Sequence, residues 1–448
     1  MGKGLLLTVS LVFLQYASLV SPYVLLCYYL KTSEQRLPNI NFHPENIDAC
    51  LCTHLVYSNV NGPTDISKWE DKHVFKRFNE LKTKNKNLKT LLGYIVFAYG
   101  VRSIAITKES REKFSNSIVT FLRKHKFDGL DLDWRSPEHA CKSPEDKQRF
   151  TLLVKELMAA FKAEAKKSKK KRLLLTAPVS SHVNDIKADY DVATISQYVD
   201  FLSVMTLRIH SIVDRVTGHN SPLHRGSADK SPHRNIDYIL KYWRDRGAAA
   251  EKLLVTFPTF GNSYILTSSQ TGIGAPVSAC GKSGPYTPEP GIKAYQEICP
   301  FLKGATKQMI EDQKVPYAFK GNEWVGYDDR ESFKTKVQWL KDNNFGGATL
   351  WALDLDDYSG THCNEGLYPL TNTLKTALGI SNSGCVSSAF MKTPKEVESM
   401  LLCGNKADGI YPFPKNKQKF INCGCAESHV LTCPRKLKYN NDCHCCIK

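Results

Sequence analysis

Along most of the chain, short runs of apolar residues alternate with longer stretches in which apolar positions recur every three to four residues. The short runs have the length of buried strands and the longer ones the period of amphipathic helices, so the pattern predicts repeated β-α units around a parallel sheet. Eight candidate strands stand out, at 23–29, 53–60, 88–96, 127–134, 173–179, 199–207, 252–258 and 347–353. Helical patterns follow most of them, for example at 69–82, 110–124, 144–167, 235–246 and 331–343. Eight such units closing into a (β/α)8 TIM barrel is the economical α/β architecture, and it puts a functional site at the C-terminal ends of the strands. After the seventh strand, a stretch at about 260–327, rich in Gly, Pro and aromatic residues, breaks the alternation. It is too long for an ordinary connection.

The fourth run, FDGLDLDWRSP at 127–137, is the most informative. Strand alternation puts Asp131, Asp133 and Arg135 on one face and Leu130, Leu132 and Trp134 on the other. Carboxylates sheltered by apolar neighbours are costly unless bonded, protonated or paired, and such a ladder therefore marks a candidate site. A solvated loop with chance acids is the competing reading, and the apolar interleaving speaks against it.

The same stretch resembles the signature of family 18 glycoside hydrolases, the chitinases, in which Asp-x-x-Asp-x-Asp-x-Glu runs along the fourth barrel strand. Asp128, Asp131 and Asp133 match, while Arg135 stands where the family has its proton-donating Glu. In that family the substrate's N-acetyl group is the nucleophile and the protein supplies the acid. A guanidinium stays protonated at working pH and cannot give its proton to a leaving group. General acid catalysis contributes about 10²- to 10⁴-fold, so the resemblance implies an intact fold with no intact catalytic set.

Further stretches are similar to the family: NIDACLCTHLVYS at 46–58, FPTFG at 257–261, TGIGAP at 271–276, EWVGYDD at 323–329 and FGGATLWALDLDD at 345–357. The resemblance spans 23 to about 379, looks closest to the vertebrate acidic chitinase and chitotriosidase group, and implies that the 260–327 insertion is an α+β subdomain walling a cleft. The sixth strand, expected to end Met-Thr-Tyr-Asp, reads Met205, Thr206, Leu207, Arg208. The groups that would orient the N-acetyl are thus missing. Ser136 and Phe260 replace expected tyrosines, and Thr32, Phe97 and Val213 replace sugar-stacking tryptophans. Trp351, Met205, Phe97, Arg208 and Phe260 remain as the expected substrate-facing set, with Trp351 alone as a stacking floor. Arg135 and Arg208 are expected to pair with Asp131 or Asp133; the alternative is that they point outward to receive an anionic ligand.

Hydrophobic residues make up 42% of the 448 and charged residues 23%, ordinary for a globular chain with a large core. The net charge of +17 favours anionic partners. Acidic glycans fit; no nucleic-acid motif occurs, and no second apolar stretch could anchor the chain in a membrane. Lys166, Lys167, Lys169, Lys170, Lys171 and Arg172 form a basic run that reads either as a solvated face or as a polyanion patch. Lys3 followed by an apolar run at 5–14 has the layout of a secretory signal, expected at 1–21, although Pro22 makes a poor cleavage site. The 15 cysteines of an exported chain imply disulfides.

The expected organisation is a barrel at 22–379, a linker at 380–402 and a disulfide-rich module at 403–448. In the tail, Cys403, Cys423, Cys433, Cys443, Cys445 and Cys446 are spaced as in a type-2 chitin-binding (peritrophin-like) module, with Cys425 as an extra. Phe420 and Tyr439 remain of its aromatics, while Ile421 stands at a Trp position. A zinc site is the rival reading of that cluster; no metal or cofactor is expected. By resemblance, Cys27 pairs with Cys52, Cys50 with Cys385 and Cys299 with Cys363, with three more bridges in the tail. Cys141 and Cys280 either pair across the barrel mouth or remain free thiols.

Three readings result. The first is a secreted, extracellular, monomeric pseudoenzyme that binds chitin or another glycan, an anionic polysaccharide included, or a protein partner. The second is an endo-acting chitinase with residual hydrolysis of β-1,4 N-acetylglucosamine polymers, using Asp133 or Glu138 as acid. The third is a structural, matrix-associated protein.

Overall fold

The computed structural model describes residues 23–37, 39–59, 65–69, 71–96, 103–134, 144–381, 385, 409–412, 417–424, 427–434, 437–443 and 445–447. The expected leader, Phe97, Arg135, Ser136, Glu138, Cys141, Cys403 and Cys425 lie outside this set, as do the side chains of Ile421 and Cys423. Eight parallel strands close a barrel: β1 (Val24–Leu30), β2 (His54–Ser58), β3 (Lys89–Val96), β4 (Gly129–Trp134), β5 (Leu174–Val179), β6 (Phe201–Val204), β7 (Leu253–Pro258) and β14 (Gly347–Trp351). β1 closes it by pairing with both β2 and β14. All eight overlap the predicted runs, β6 over only part of its length.

Alternation sorts the side chains into two cores. Leu25, Cys27 and Tyr29 of β1 face outward into the large core shared with the helices, whereas Val24, Leu26 and Tyr28 face the barrel interior with Val56, Leu91 and Leu254. Burial on both faces is why these strands read as continuous apolar runs. The helices lay apolar stripes on the outside: Asp146–Ser168 buries Phe150, Leu153, Val154, Leu157, Met158 and Phe161. Lys108–Lys124 begins where Thr107 Oγ1 accepts the Ser110 amide at 3.1 Å.

β6 ends at Val204, three residues before the predicted end. The amides of Thr206 and Leu207 each bond a carbonyl two residues back, and Arg208 has φ 54°, so the backbone turns away although the apolar pattern continues. After β7, strands β8 (Phe260–Leu266), β9 (Val277–Cys280), β10 (Ile292–Ala294), β11 (Thr306–Ile310), β12 (Val315–Lys320) and β13 (Glu323–Gly326) form one sheet, with helix Tyr295–Phe301 beside it. This is the α+β subdomain expected at 260–327.

The tail strands β15 (Gly409–Pro412), β16 (Lys419–Gly424) and β17 (Glu427–Thr432) form an antiparallel sheet, and β18 (Lys438–Asn440) and β19 (Cys445–Ile447) a hairpin. Phe420 and Tyr439 stack at 5.0 Å between ring centroids. The three barrel disulfides, Cys27–Cys52, Cys50–Cys385 and Cys299–Cys363, are those the resemblance implied. In the tail Cys433 joins Cys446 and Cys443 joins Cys445. Cys280 is a free thiol, which removes the pairing with Cys141 across the mouth.

Where the insertion returns to the barrel, a buried ion pair locks the junction. Lys336 Nζ lies 2.5 Å from Asp328 and also donates to the Ser221 carbonyl at 2.6 Å, with both charged side chains almost wholly enclosed. Desolvation lowers the lysine's proton affinity and the Asp328 carboxylate opposes that. Removing one member of such a pair strands the other charge, at a cost of about 3–5 kcal/mol. Lys336→Ala is therefore expected to lower stability by that amount in urea unfolding. An unchanged midpoint would show that the pair is not desolvated in solution.

Candidate functional site

The C-terminal mouth of the barrel holds the carboxylates of β4. Asp131 is 1% exposed, and hydroxyls from one remote and one adjacent strand hold it: Tyr28 Oη of β1 donates to Oδ2 at 2.6 Å and Thr176 Oγ1 of β5 donates to Oδ1 at 2.5 Å. Gly93 lies in register with Asp131 on β3, where a Cβ would meet the Tyr57 carbonyl at 2.9 Å. Burial pushes the Asp131 carboxyl up to about 6; the two hydroxyls oppose this and Asp133 adds to it. Asp133, half-buried, is the next inward residue toward the mouth. Trp134 turns outward and stacks on Phe150 at 5.2 Å.

Asp128, the first acid of the motif, is at the other end of the strand. It bonds the Thr90 amide at 2.9 Å and pairs with Lys82 at 2.9 Å, a structural role remote from the mouth. The site is thus Asp131 and Asp133, not the whole acid row.

Trp351, at the end of β14, packs on Tyr28 with ring centroids 4.7 Å apart and stays partly exposed, as a floor should. Met205 is half-buried, and its sulfur accepts from Thr256 Oγ1 at 3.7 Å. Phe260 is buried and packs with Tyr286, Ile292 and Leu355, against which Leu207 and Trp351 also lie. Thr32 and Val213 are exposed, Val213 at 83%, and neither offers a flat ring.

Arg208 corrects an expectation. Its left-handed backbone is held by a hydrogen bond that its amide donates to Asn220 Oδ1 at 2.7 Å, and its exposed guanidinium pairs with Glu289 of the insertion rather than with Asp131 or Asp133. Asp131 is satisfied by hydroxyls and does not need a cation. Tyr28 and Thr176, the residues that make the buried carboxylate tolerable, were not singled out in the sequence. Their alternation in β1 and β5 carried the signal.

The acids of 345–357 are structural as well. Arg36 pairs with Asp354 at 2.6 Å, Thr371 donates its amide and hydroxyl to Asp356 at 2.8 and 2.7 Å, and the amides of His362 and Cys363 donate to Asp357.

A closed parallel barrel with an α+β wall, an aromatic floor and a hydroxyl-held carboxylate at its mouth defines a glycosidase-type barrel. The chain belongs to glycosyl hydrolases family 18, whose model matches residues 24–356. It is 38% identical to chitotriosidase-1 of Mus musculus, over 94% of each chain. It is 43% identical to chitinase-3-like protein 2 of Homo sapiens, over 80% of this chain and 93% of that one. A solved structure of human YKL-39, described as a pseudo-chitinase with retained chitooligosaccharide binding properties, superposes with a TM-score of 0.74 at 42% identity, covering 80% of this chain and all of the other.

Because the folded Asp131 carboxyl titrates near 6 and an unfolded one near 3.9, the native state holds a proton that the unfolded chain releases between those values. Its contribution to stability is present below pH 4 and is lost as pH rises through 6. Subtracting the unfolding free energy of Asp131→Asn from that of the unmodified protein should give a difference that falls by about 2–3 kcal/mol from pH 4 to pH 7. A flat difference would mean an ordinary carboxyl.

Proposed function

We propose that the protein is a secreted, catalytically inactive member of its family that binds a chitin-like glycan in the cleft. The observation that carries this reading is the end of β6: Leu207 packs into an apolar cluster and Arg208 is engaged with Glu289. Among the described residues, neither Leu207 nor Arg208 supplies the hydroxyl and carboxylate that the resemblance implies for orienting an N-acetyl group. Arg135 in the sequence supports the same conclusion, because it removes the acid that hydrolysis requires. Disulfides among the described residues agree with an oxidising, extracellular location. The tail, with its bridges and the Phe420–Tyr439 stack, fits a small carbohydrate-binding module that tethers the barrel to a polymer.

Trp351 over Tyr28 gives one sugar ring a platform, so binding should be weak and centred there. A solution of chitotetraose should quench tryptophan fluorescence saturably, and Trp351→Ala should raise Kd about tenfold, the loss of roughly 1.4 kcal/mol. A Kd unmoved by that substitution would place the glycan elsewhere.

With a fluorogenic chitobioside, neither the protein nor Arg135→Glu should turn over. The triple change Arg135→Glu, Leu207→Tyr, Arg208→Asp should recover activity about 10²-fold or more above it, within the range of a general acid. Turnover by the unmodified protein would end the pseudoenzyme reading; turnover by Arg135→Glu alone would show that Leu207 and Arg208 are tolerated.

A further inference from the structure

We infer that the N-terminal end of the barrel, opposite the cleft, is a docking face for a sulfated glycosaminoglycan. Three successive junctions, 82–89, 123–128 and 164–172, carry the chain from a helix into β3, β4 and β5, and in a parallel barrel all such junctions emerge at that end. Together they contain thirteen Lys or Arg and two acids. Both acids are spoken for, Asp128 by Lys82 and Glu164 by Arg123, and Arg172 is paired with Asp200 at 2.6 Å.

The junctions are tied into one surface. Lys82 Nζ donates to the Lys126 carbonyl at 2.6 Å, Arg123 donates to the Lys171 carbonyl at 2.9 Å, and the Leu174 amide donates to the Asp128 carbonyl at 2.9 Å. Around these ties Lys84, Lys86, Lys124, Lys126, Lys170 and Lys171 are exposed.

Offsetting the helix dipoles explains only part of this charge, since that effect is confined to the last turn of each helix. Lys86, Lys126, Lys169, Lys170 and Lys171 lie beyond the helix ends. Lys126 and Lys169 moreover occupy left-handed backbone, at φ 62° and 56°, where glycine or asparagine is the usual occupant. The positive field reaches His125, whose protonation is disfavoured first by burial and then by Lys124 and Lys72.

The chemistry of the face selects the partner. Neighbouring helices lie about 8–10 Å apart, so three junctions make a band of roughly 20 Å, suited to an extended chain rather than one small anion. Its charges are mostly lysine ammoniums, point charges without the forked geometry that reads a single phosphate. Phe121 and Phe127 are buried, and none of the exposed large apolar residues lies in these junctions, so the face offers neither a stacking platform for bases nor a wedge for lipid. A sulfated polysaccharide needs only spaced cations. This site is separate from the cleft and does not depend on the function proposed for it.

The test uses the full-length protein and a fluorescent heparin octasaccharide titrated across a NaCl series. Lys86→Gln, Lys124→Gln and Lys170→Gln, combined, avoid the left-handed positions and remove one cation per junction. Lys282→Gln, Lys303→Gln and Lys307→Gln, on the insertion, make a charge-matched control. The junction variant should bind at least tenfold more weakly near 150 mM NaCl and its salt slope should fall by about three, one per lost contact, with an unchanged thermal midpoint, while the control binds like the parent. Equal losses in both variants, or none in the junction variant, would overturn the site. Equal affinity for a single-stranded DNA 20-mer or for phosphatidylserine vesicles would overturn the sulfated-glycan assignment, and displacement of the octasaccharide by chitotetraose would overturn its separation from the cleft.

Discussion

A carboxylate can live inside a closed barrel only if other strands reach across to satisfy it. Asp131 is the deepest acid of the mouth, and its oxygens are taken by Tyr28 from the strand that closes the barrel and by Thr176 from the strand next to its own. The parallel register of β1 with β2 and β14 therefore does more than complete the sheet. It carries Tyr28 to the acid and to Trp351 at once, so that floor and carboxylate share one ring. Gly93, the register neighbour of the acid, adds no side chain of its own to a space already closed by the Tyr57 carbonyl and Val56. Barrel closure, the satisfaction of the buried Asp131 carboxylate and the shape of the floor are consequences of a single arrangement.

The eight strands were legible because each is buried on both faces, and a continuous apolar run needs no knowledge of its neighbours. The end of β6 was not. Leu207 continues the apolar pattern, but the backbone between 204 and 208 bonds back on itself and leaves the sheet. Hydrophobicity does not record that turn. Arg208 was misread for a related reason: charge complementarity suggested Asp131 or Asp133, while a left-handed backbone directs the guanidinium to Glu289. The roles of Tyr28 and Thr176 needed the register of three strands, which a one-dimensional pattern does not contain. Asp128 shows the converse, since it belongs to the motif in sequence yet binds Thr90 and Lys82 at the opposite end of the strand.

Most acids of the family-like segments hold the fold rather than the site. Asp354, Asp356 and Asp357 anchor Arg36, the start of helix Pro369–Leu378 and the loop leading to Cys363. Asp328 anchors Lys336, and Asp329 caps the helix that carries it, Arg330–Asp342, by accepting from the Ser332 amide. These contacts are buried or partly buried, and breaking one strands a charge or a donor. Leu207 and Arg208, by contrast, lie after a strand end, where a change of side chain disturbs no ladder bond. Chemistry and stability are carried by different residues, which is why substitution at the mouth can remove one and spare the other.

The same division explains how the opposite end of the barrel tolerates its charge. The N-terminal face of such barrels generally serves stability, and closely spaced lysines there repel one another. That repulsion is bearable only because the ammoniums end flexible stems in water, while the backbone beneath is secured by Lys82, Arg123 and Arg172 through contacts that compensate every acid of the three junctions. The uncompensated charge is therefore displayed on a rigid base. A multivalent anion would relieve the repulsion by occupying the field between the lysines, and would do so without moving any element that supports Asp131.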